Sequence, residues 1–348
     1  FAPVPIRFVL ESSCIIQKMA SVSRFDLKSL LSACVHLSRR GGSIIRQEHH
    51  RGKLGAHNKK LLGDTRDVTA MEGHEVLTVA DGRSQDAIIT SLQSMFPGLH
   101  IVGEEGEVPR KEDATKLEDV RPLDHTFEVP AHVNDTLTAE DTCLWIDPLD
   151  GTKEFVLNNV HNVTVLIGIA IRSRPVAGVM LQPFLGGDQG IVTYGAVDVG
   201  VFGDRIPATG EAPKQLTIVT NPKSAQNPRI KAALELLDPK PEVVLTNACG
   251  QKLLRVIRGE ASAFLMGPGA SRWDTCAGEG LLLAIGGKAT DLNGNLYSYV
   301  EGDNYDNIDG LIAARTPEIH LKIVEALAET ASKMQGCSEK KRTDMSEQ

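Results

Sequence analysis

Two carboxylates on one tight turn are the residues of this sequence best suited to chemistry. In segment 145–154 an apolar run reaches Asp147, and Pro148 and Gly151 then bend the backbone so that Asp150 leaves the strand beside it. The two acids repel each other unless a cation lies between them, and Mg²⁺ prefers carboxylate and carbonyl oxygens as ligands. The turn therefore favours a metal site, and the alternative is an ordinary acidic surface turn.

Three further acids lie at the ends of short apolar runs, as Asp147 does. They are Asp81, Glu104 and Asp274. A site with two ions about 3.5 to 4 Å apart can activate a water and neutralise a leaving oxygen, and phosphate ester hydrolysis needs both effects. If the acids converge, the sequence predicts such a site with these ligands: Asp81, Glu104, Asp147, the Leu149 carbonyl, Asp150 and Asp274.

The residues of this predicted site have different roles. Asp147 is expected to bridge the ions, and Thr152 to orient or deprotonate the water while Asp81 accepts from the hydroxyl. Each residue also has a plainer interpretation, because Asp81 and Asp274 could cap the helices that begin there and Thr152 could be a turn hydroxyl. At the level of sequence both interpretations stay open.

The hydrophobic and charged fractions are those of a soluble globular protein. The 348 residues can bury one large core or two closely joined domains. A net charge of -8 argues against nucleic-acid and membrane partners, which require a broad basic face, although a small basic pocket remains possible. The 6 cysteines have no zinc or CxxC spacing, which predicts reduced thiols in a cytoplasmic protein.

Helices and strands alternate around these acids. The first predicted helix covers 24–48 with Ser23 as its N-cap, and Gly41-Gly42 within it indicates close packing. Segment 51–75 is polar and aperiodic, which predicts a long surface loop. Residues 76–81 are expected to be extended before a second helix. Strands and turns then dominate the middle of the chain, a second alternation of strands and helices follows, and this order predicts α/β layers in two lobes.

Two motifs make the chain similar to a known superfamily. Gly103-Glu104-Glu105 followed by segment 145–152 matches the signature W-[IV]-D-P-[LI]-D-G-T, and segment 273–277 matches W-D-x-x-A. In these motifs the chain resembles the magnesium-dependent, lithium-sensitive phosphatases of the inositol monophosphatase and fructose-1,6-bisphosphatase superfamily. The resemblance implies an α/β (α+β) fold arranged as an αβαβα sandwich, two or three Mg²⁺ ions, and Asp81 with Thr152 as the catalytic pair.

Within the superfamily the chain is most similar to the bisphosphate nucleotidases. This similarity rests on segments 78–81, 147–154, 162–170, 177–183 and 286–291. It implies removal of the 3'-phosphate from 3'-phosphoadenosine 5'-phosphate to give AMP. The alternative activities are inositol polyphosphate 1-phosphatase and inositol monophosphatase, so the expected partner is a phosphorylated nucleotide or an inositol phosphate, bound by a monomer or homodimer.

The resemblance also places a substrate pocket in the second lobe. Its predicted contacts, to which Ser224 is added as a hydroxyl donor, are Asp150, Thr220, Lys223, Ser224, Ala248, Gly250 and Lys252. The family usually has histidine where Lys223 stands and glycine where Ala248 stands. The plainer alternative is that Lys223 is solvated and Lys252 lies on a helix face.

The predicted domain organisation follows from these elements and the resemblance. Met19 is expected to be the natural start, which makes residues 1–18 an upstream extension. The divisions are an extension at 1–23, an N-terminal α+β lobe at 24–212 with most metal ligands, a C-terminal α/β lobe at 213–334 with the nucleotide pocket and the last ligand, and a disordered tail at 335–348.

Overall fold

The computed structural model describes most of the chain. The described ranges are 25–52, 57–58, 61–64, 76–107, 109–123, 125, 127–134, 137–203, 206, 213, 215–302 and 304–346. The predicted extension 1–23, including Ser23 and Met19, lies outside them. Within these ranges, no helix has the combination of length and hydrophobicity needed to cross a bilayer.

Helices and strands alternate along the described chain. The helices are α1 (Leu27–Arg51), α2 (Val79–Met95), α3 (Ala131–Asn134), α4 (Thr152–Val156), α5 (Pro222–Ala225), α6 (Pro228–Leu236), α7 (Cys249–Ile257), α8 (Arg272–Ala284) and α9 (Pro317–Ser346). The strands are β1 (His57–Asn58), β2 (Leu61–Asp64), β3 (Val76–Leu77), β4 (His100–Gly103), β5 (Thr142–Asp150), β6 (Thr164–Ile171), β7 (Arg174–Gln182), β8 (Ile191–Ala196), β9 (Gly200–Gly203), β10 (Thr217–Thr220), β11 (Glu242–Leu245), β12 (Ala263–Met266), β13 (Lys288–Thr290) and β14 (Leu311–Ala314).

Two large sheets form the centre of the fold. The first has six strands in the order β4-β5-β6-β7-β8-β9, with β4 and β5 parallel and the other neighbours antiparallel. The second has five strands in the order β11-β10-β12-β14-β13, with parallel pairs on both sides of β10. Strands β5 and β6 are buried along their whole length, because helices cover both faces of the sheet.

The helices complete five layers. Helices α1 and α2 pack on the outer face of the six-stranded sheet, α7 and α8 lie between the two sheets, and α6 and α9 cover the outer face of the second sheet. The predicted αβαβα sandwich is therefore confirmed. Helix α8 contacts strands of both sheets, so residues from both parts of the chain can meet along this middle layer.

Helix α1 illustrates how the sequence determines the packing. Its N-cap is Asp26, whose side chain accepts from the Ser29 amide at 2.8 Å. A Cβ atom on Gly41 would lie 2.6 Å from Ser84 Oγ, and one on Gly42 would lie 2.5 Å from Leu181 Cδ2. The glycine pair therefore allows α1 to approach α2 and β7 closely, as its position predicted.

Several sequence predictions about local structure were wrong. The predicted loop 51–75 contains β1 and β2, which pair with β3 in a small antiparallel sheet, and its other residues beyond 52 lie outside the described ranges. Helix α2 begins at Val79, so Asp81 is helical rather than extended. The predicted N-cap Ser23 is replaced by Asp26, since the helix starts later. Helix α9 continues to Ser346 instead of ending before a disordered tail, because this charged segment has helix-forming residues and no proline.

Candidate functional site

The pairing of β4 with β5 brings the first acids together. The two strands are parallel, Gly103 lies opposite Ile146, and the amide of Glu104 donates to the Ile146 carbonyl at 3.0 Å. Glu104 and Asp147 therefore leave the same edge of the sheet. The register of β5 against β6 shifts between Asp147 and Asp150, which turns the end of β5 out of regular pairing.

Asp81 and Asp274 reach the same place from the starts of two helices. Each is the third residue of its helix and completes a capping box, with Thr78 at the start of α2 and Ser271 at the start of α8. The Asp81 carboxylate accepts from the Thr78 amide at 2.9 Å, and the Asp274 carboxylate accepts from the Ser271 amide at 2.6 Å. Each carboxylate can therefore cap its helix and also belong to the acidic cluster, because the capping bonds from the backbone amides use only one of its two oxygens, Oδ2.

The acids form one cluster, which is mostly buried. Oxygen atoms of Asp147, Asp150 and Asp274 lie within 4.8 Å of one another, and Asp147 is within hydrogen-bonding reach of Glu104. Burial, followed by the charges of Glu104, Asp150 and Asp274, raises the pKa of Asp147 well above its usual value. Burial and the Glu104 charge likewise raise the pKa of Asp81 to about 6.

The donor set fits a hard divalent cation. Its ligands would be oxygens only, from Asp81, Glu104, Asp147, Asp150 and Asp274 and from the Leu149 carbonyl, as Mg²⁺ prefers. Burial together with the charges of Glu104 and Asp150 raises the pKa of Asp274 to about 7, so these carboxylates strongly oppose one another's ionisation. A divalent cation would remove that repulsion.

Thr152 connects the acidic cluster to Asp81. Its Oγ1 lies 3.0 Å from Asp81 Oδ1 and 3.1 Å from the Leu149 carbonyl, as the first residue of α4. The Leu149 amide in turn donates to Asp147 Oδ1 at 2.9 Å, which fixes the turn between the two acids. A hydroxyl that donates to a carboxylate keeps its own lone pairs available to a water, so this pair has the arrangement that proton acceptance requires.

The acidic cluster predicts that the metal-free protein loses stability as pH rises. The pKa values of about 6 for Asp81 and about 7 for Asp274 lie above the ordinary value of 3.8, so the folded state binds protons that the unfolded state releases. Unfolding free energy must then fall as pH rises from about 4 through about 7, and the loss from these groups is complete about one pH unit above that value. Melting temperatures measured in chelator over this range test the direction.

Saturating Mg²⁺ provides the control for this prediction. A bound cation favours the ionised carboxylates, so Mg²⁺ should remove most of the fall in melting temperature with rising pH. The part of the pH dependence that Mg²⁺ removes comes from the acidic cluster. It therefore excludes the contributions of Glu279, whose pKa is raised to about 7 by burial, and of His320, whose pKa is lowered to about 4 by burial. A metal-free melting temperature that rises over the window and is unaffected by Mg²⁺ would contradict the assignment.

Asp150 is held by hydrogen bonds that the sequence analysis did not predict. The amides of Cys249 and Gly250 donate to its two oxygens at 3.0 and 2.7 Å, and Thr164 Oγ1 donates at 2.7 Å. A Cβ on Gly250 would lie 2.2 Å from Thr164 Oγ1 and 2.8 Å from Asp150 Oδ2. The start of α7 therefore has to be glycine here, and it orients the carboxylate by backbone donors. Thr164 lies in a segment that carried the family resemblance, which was the only sequence signal for it.

The turn before α7 is strained and tied to a buried lysine. Ala248 has φ +59 and ψ 140, a conformation that glycine adopts more readily. Its carbonyl accepts from Lys252 Nζ, which also lies 5.1 Å from the centre of the Phe264 ring. The Lys252 side chain is buried, and burial lowers its pKa despite the nearby Asp150 charge. Lys252 is therefore not a solvated residue on a helix face.

Glu154 is a second residue that sequence reasoning missed. It is buried and accepts from Asn162 Nδ2 at 2.8 Å and from Asn247 Nδ2 at 3.1 Å, so it ties α4 to the turn before α7. The charge of Glu154 also opposes the lowering of the Lys252 pKa by burial. The sequence signals for Glu154 were its place directly after the acidic turn and its position in segment 147–154, which carried the family resemblance.

The other predicted substrate contacts are less closely connected to the acids. Thr220 ends β10 and is buried, and its Oγ1 has no hydrogen-bond partner among the described residues. Ser224 Oγ accepts from the Gly267 amide at 3.0 Å, so part of its capacity serves the fold. Lys223 is exposed, and the structure records no hydrogen bond or ion pair of its side chain within the described ranges. Thr220 is thus enclosed by the protein, whereas Lys223 is solvated.

Comparisons with known proteins relate the chain to enzymes of phosphate chemistry. The sequence profile of the inositol monophosphatase family matches residues 26–332. The mouse protein named 3'(2'),5'-bisphosphate nucleotidase 1 is 33% identical over 303 residues, which cover 85% of this chain and 93% of the mouse protein. The Drosophila pseudoobscura protein named putative inositol monophosphatase 3 is 30% identical over 305 residues, which cover 88% of this chain and 82% of that protein.

Solved structures show the same fold. The staphylococcal enzyme SaIMPase-II, in a structure with bound 2'AMP, matches with a TM-score of 0.58 and 19% identity. The match covers 87% of this chain and 96% of that one. This similarity concerns the fold, and it agrees with the five layers described above.

Proposed function

The chain belongs to the inositol monophosphatase family of phosphatases, and from that premise we propose that it is a magnesium-dependent enzyme that removes the 3'-phosphate of 3'-phosphoadenosine 5'-phosphate to give AMP. The observation that carries the proposal is the convergence of Asp147, Asp150 and Asp274 beside the Thr152–Asp81 pair. The choice of a nucleotide substrate rests on the relatives named bisphosphate nucleotidase, which are 31–33% identical to this chain.

Each residue of the cluster has a role in this proposal. Asp81, Glu104, Asp147, Asp150, Asp274 and the Leu149 carbonyl are the proposed ligands of two or three Mg²⁺ ions. When bound, such ions supply an activated water and neutralise the leaving oxygen. Asp147 is the proposed bridging ligand, because it lies within reach of both Glu104 and Asp274.

Thr152 and Asp81 are the proposed route for the proton of the attacking water. Thr152 Oγ1 accepts that proton as its own hydroxyl proton passes to Asp81 Oδ1, 3.0 Å away. Asp150, held by the amides of Cys249 and Gly250, positions the departing side of the phosphate.

The proposed substrate contacts lie around the start of α7 and the end of β10. Thr220 has a hydroxyl without a partner in the described part of the chain, and Gly250 lets the backbone approach Asp150 so closely that a side chain there would clash. The Lys252 ammonium has donors beyond the one that the Ala248 carbonyl accepts, so it can supply charge to the 5'-phosphate. Ser224 and Lys223 complete the proposed set, the latter as an exposed cation at the rim.

Location and assembly are part of the same proposal. We place the protein in the cytoplasm, because the four cysteines within the described ranges are free and buried, namely Cys34, Cys143, Cys249 and Cys276. The proposed assembly is a monomer or a homodimer. The second candidate function is an inositol phosphatase, which the relative named putative inositol monophosphatase 3 supports.

A phosphate-release panel with Mg²⁺ tests the proposed substrate. Its members are 3'-phosphoadenosine 5'-phosphate, the sulfated analogue of that nucleotide, inositol 1,4-bisphosphate and inositol 1-phosphate. We expect the highest kcat/KM for the two nucleotides. A higher kcat/KM for either inositol phosphate would instead select the second candidate function.

Replacing Lys252 by alanine should raise KM for the bisphosphorylated nucleotide more than it lowers kcat. The loss of the ammonium removes charge from the 5'-phosphate site, which contributes to binding and not to bond cleavage. A charge-assisted contact of this kind corresponds to roughly a tenfold to hundredfold increase in KM. Steady-state kinetics on this nucleotide and on inositol 1-phosphate measure the effect.

Lys240→Ala is the matched control, since it removes the same charge from an exposed position outside the proposed substrate site. Its effect on KM should be clearly smaller than that of Lys252→Ala. An equal rise in KM for inositol 1-phosphate in the Lys252 variant would show that this residue does not recognise the 5'-phosphate.

A further inference from the structure

A second cavity, lined by none of the proposed metal ligands, is rich in arginine. Its volume is about 320 Å³, and it lies between α1, the segment around Arg121 and the turn that contains Asp188. Four guanidinium groups line it, those of Arg39, Arg40, Arg46 and Arg121. Such a concentration of cations contrasts with the net charge of -8 for the chain.

Helical spacing produces this concentration. Arg39 and Arg40 follow His36 by 3 and 4 residues, and Arg46 follows Arg39 by 7, so these side chains lie towards one side of α1. The arginines on this helix are half-buried, while the other sides carry the leucines and isoleucines that enter the core. The cavity therefore has a rigid cationic wall rather than a set of flexible surface side chains.

Two guanidinium groups of this wall, those of Arg40 and Arg46, are hydrogen-bonded to uncharged groups. Among the described residues that line the cavity, the one acid is Asp188, which lies near Arg46. Arg40 donates to neutral hydroxyls, to Ser91 Oγ at 3.2 Å and to Thr115 Oγ1 at 2.6 Å, and Arg46 donates to the Pro183 carbonyl at 2.8 Å. These bonds orient the guanidinium groups of Arg40 and Arg46 without neutralising them.

The electrostatic effect is visible on His36. Burial lowers the pKa of this imidazole, and the charges of Arg121, Arg40 and Arg39 lower it further, against the opposing charge of Asp119. The charges of these three arginines therefore act together on a group inside the cavity. An anion entering it would meet preorganised donors in a partly desolvated setting.

We propose that this arginine cavity is a binding site for a small phosphorylated ligand, separate from the site of hydrolysis. A planar guanidinium group can donate two parallel hydrogen bonds to two oxygens of a phosphate. A phosphate also carries more negative charge than a carboxylate, so a cavity lined by several arginines favours a phosphate. The volume lies near the lower end of the range of about 300 to 1,000 Å³ found for small-molecule pockets. The ligand is therefore a compact one, with one or two phosphate groups and little else.

Equilibrium dialysis with pyrophosphate tests the site on the full chain. Chelator is present throughout, so that the acidic cluster keeps its negative charge and repels the probe. The wild type should bind one equivalent. Arg39→Ala and Arg121→Ala should each weaken binding about tenfold or more, which corresponds to about 1.4 kcal/mol. Arg172→Ala, the matched control, removes the same charge from an exposed hairpin position and should bind as the wild type does.

Two further variants keep the outcome decisive. Arg39→Lys retains the charge in case the alanine variant does not fold, and it should bind more tightly than Arg39→Ala. Lys252→Ala should bind pyrophosphate as the wild type does, because it alters only the proposed substrate site. Absence of saturable binding, equal weakening in the Arg172 control, or loss of binding in the Lys252 variant would overturn the proposal.

A second set of probes identifies the source of the phosphate. Inorganic phosphate and ribose 5-phosphate are compared under the same conditions. Equal affinity would assign the cavity to the free anion, and tighter binding of the ester would assign it to a phosphorylated metabolite. Either result supports a phosphate site. If Arg121→Ala weakened the binding of neither ligand, the proposal would be contradicted.

Discussion

Asp147→Asn should lower kcat by at least about a hundredfold while leaving the fold intact. Asparagine has the shape of aspartate but lacks the charge that two adjacent cations would share. In the absence of metal the same change should stabilise the protein near neutral pH. The reason is that Asp147 is buried against Glu104, Asp150 and Asp274, all of which raise its pKa.

Measuring both kcat and the melting temperature distinguishes an effect of this substitution on catalysis from an effect on stability. Mg²⁺-dependent kcat and the melting temperature in chelator should move in opposite directions in this variant. Asp141→Asn is the matched control, because Asp141 is an acid outside the cluster that pairs with Arg172. Wild-type kcat in the Asp147 variant would contradict the role of Asp147 as a bridging ligand.

Gly250→Ala should have the second largest effect, because the added methyl group has no space. Its Cβ would lie 2.2 Å from Thr164 Oγ1 and 2.8 Å from Asp150 Oδ2, so Asp150 or the start of α7 must move. Overpacking of this kind costs about 1 to 3 kcal/mol of unfolding free energy. A displacement of about 1 Å at a positioned group can cost about a hundredfold in rate, and we expect a loss of that size in kcat.

Gly52→Ala distinguishes local displacement from general destabilisation. Gly52 lies at the end of α1 with φ +67, and the space that an added Cβ would take is open, so alanine there is strained without touching the site. It should lower the melting temperature and leave kcat unchanged. If Gly250→Ala behaved as this control does, the proposed role of the Asp150 contacts would be wrong.

The sequence was sufficient to predict the fold class and to select the acids that the structure brings together. Asp81, Glu104, Asp147 and Asp274 each follow a short apolar run, and the ends of buried strands and the starts of helices are places where polar groups can meet. The family resemblance supplied the five-layer arrangement. The convergence of the four acids was a hypothesis that needed the parallel pairing of β4 with β5 and the placement of α8 between the sheets.

The remaining features depend on three-dimensional contacts that have no periodic signal. The contacts of Asp150 come from backbone amides almost a hundred residues away at Cys249 and Gly250, and a backbone donor has no residue type to recognise. Asp81 and Asp274 were considered as either caps or ligands, but a carboxylate has two oxygens and the capping bonds use only one of them. The burial of Lys252 depends on the packing of α7 against β12.

Product analysis in water labelled with heavy oxygen tests the central claim most directly. The protein is given 3'-phosphoadenosine 5'-phosphate and Mg²⁺, and both products are examined by mass spectrometry. The account predicts unlabelled AMP that retains its 5'-phosphate, together with inorganic phosphate that carries one heavy oxygen, and no reaction in chelator. Label in the nucleotide, adenosine 3'-phosphate as the product, or turnover that is independent of metal would contradict it.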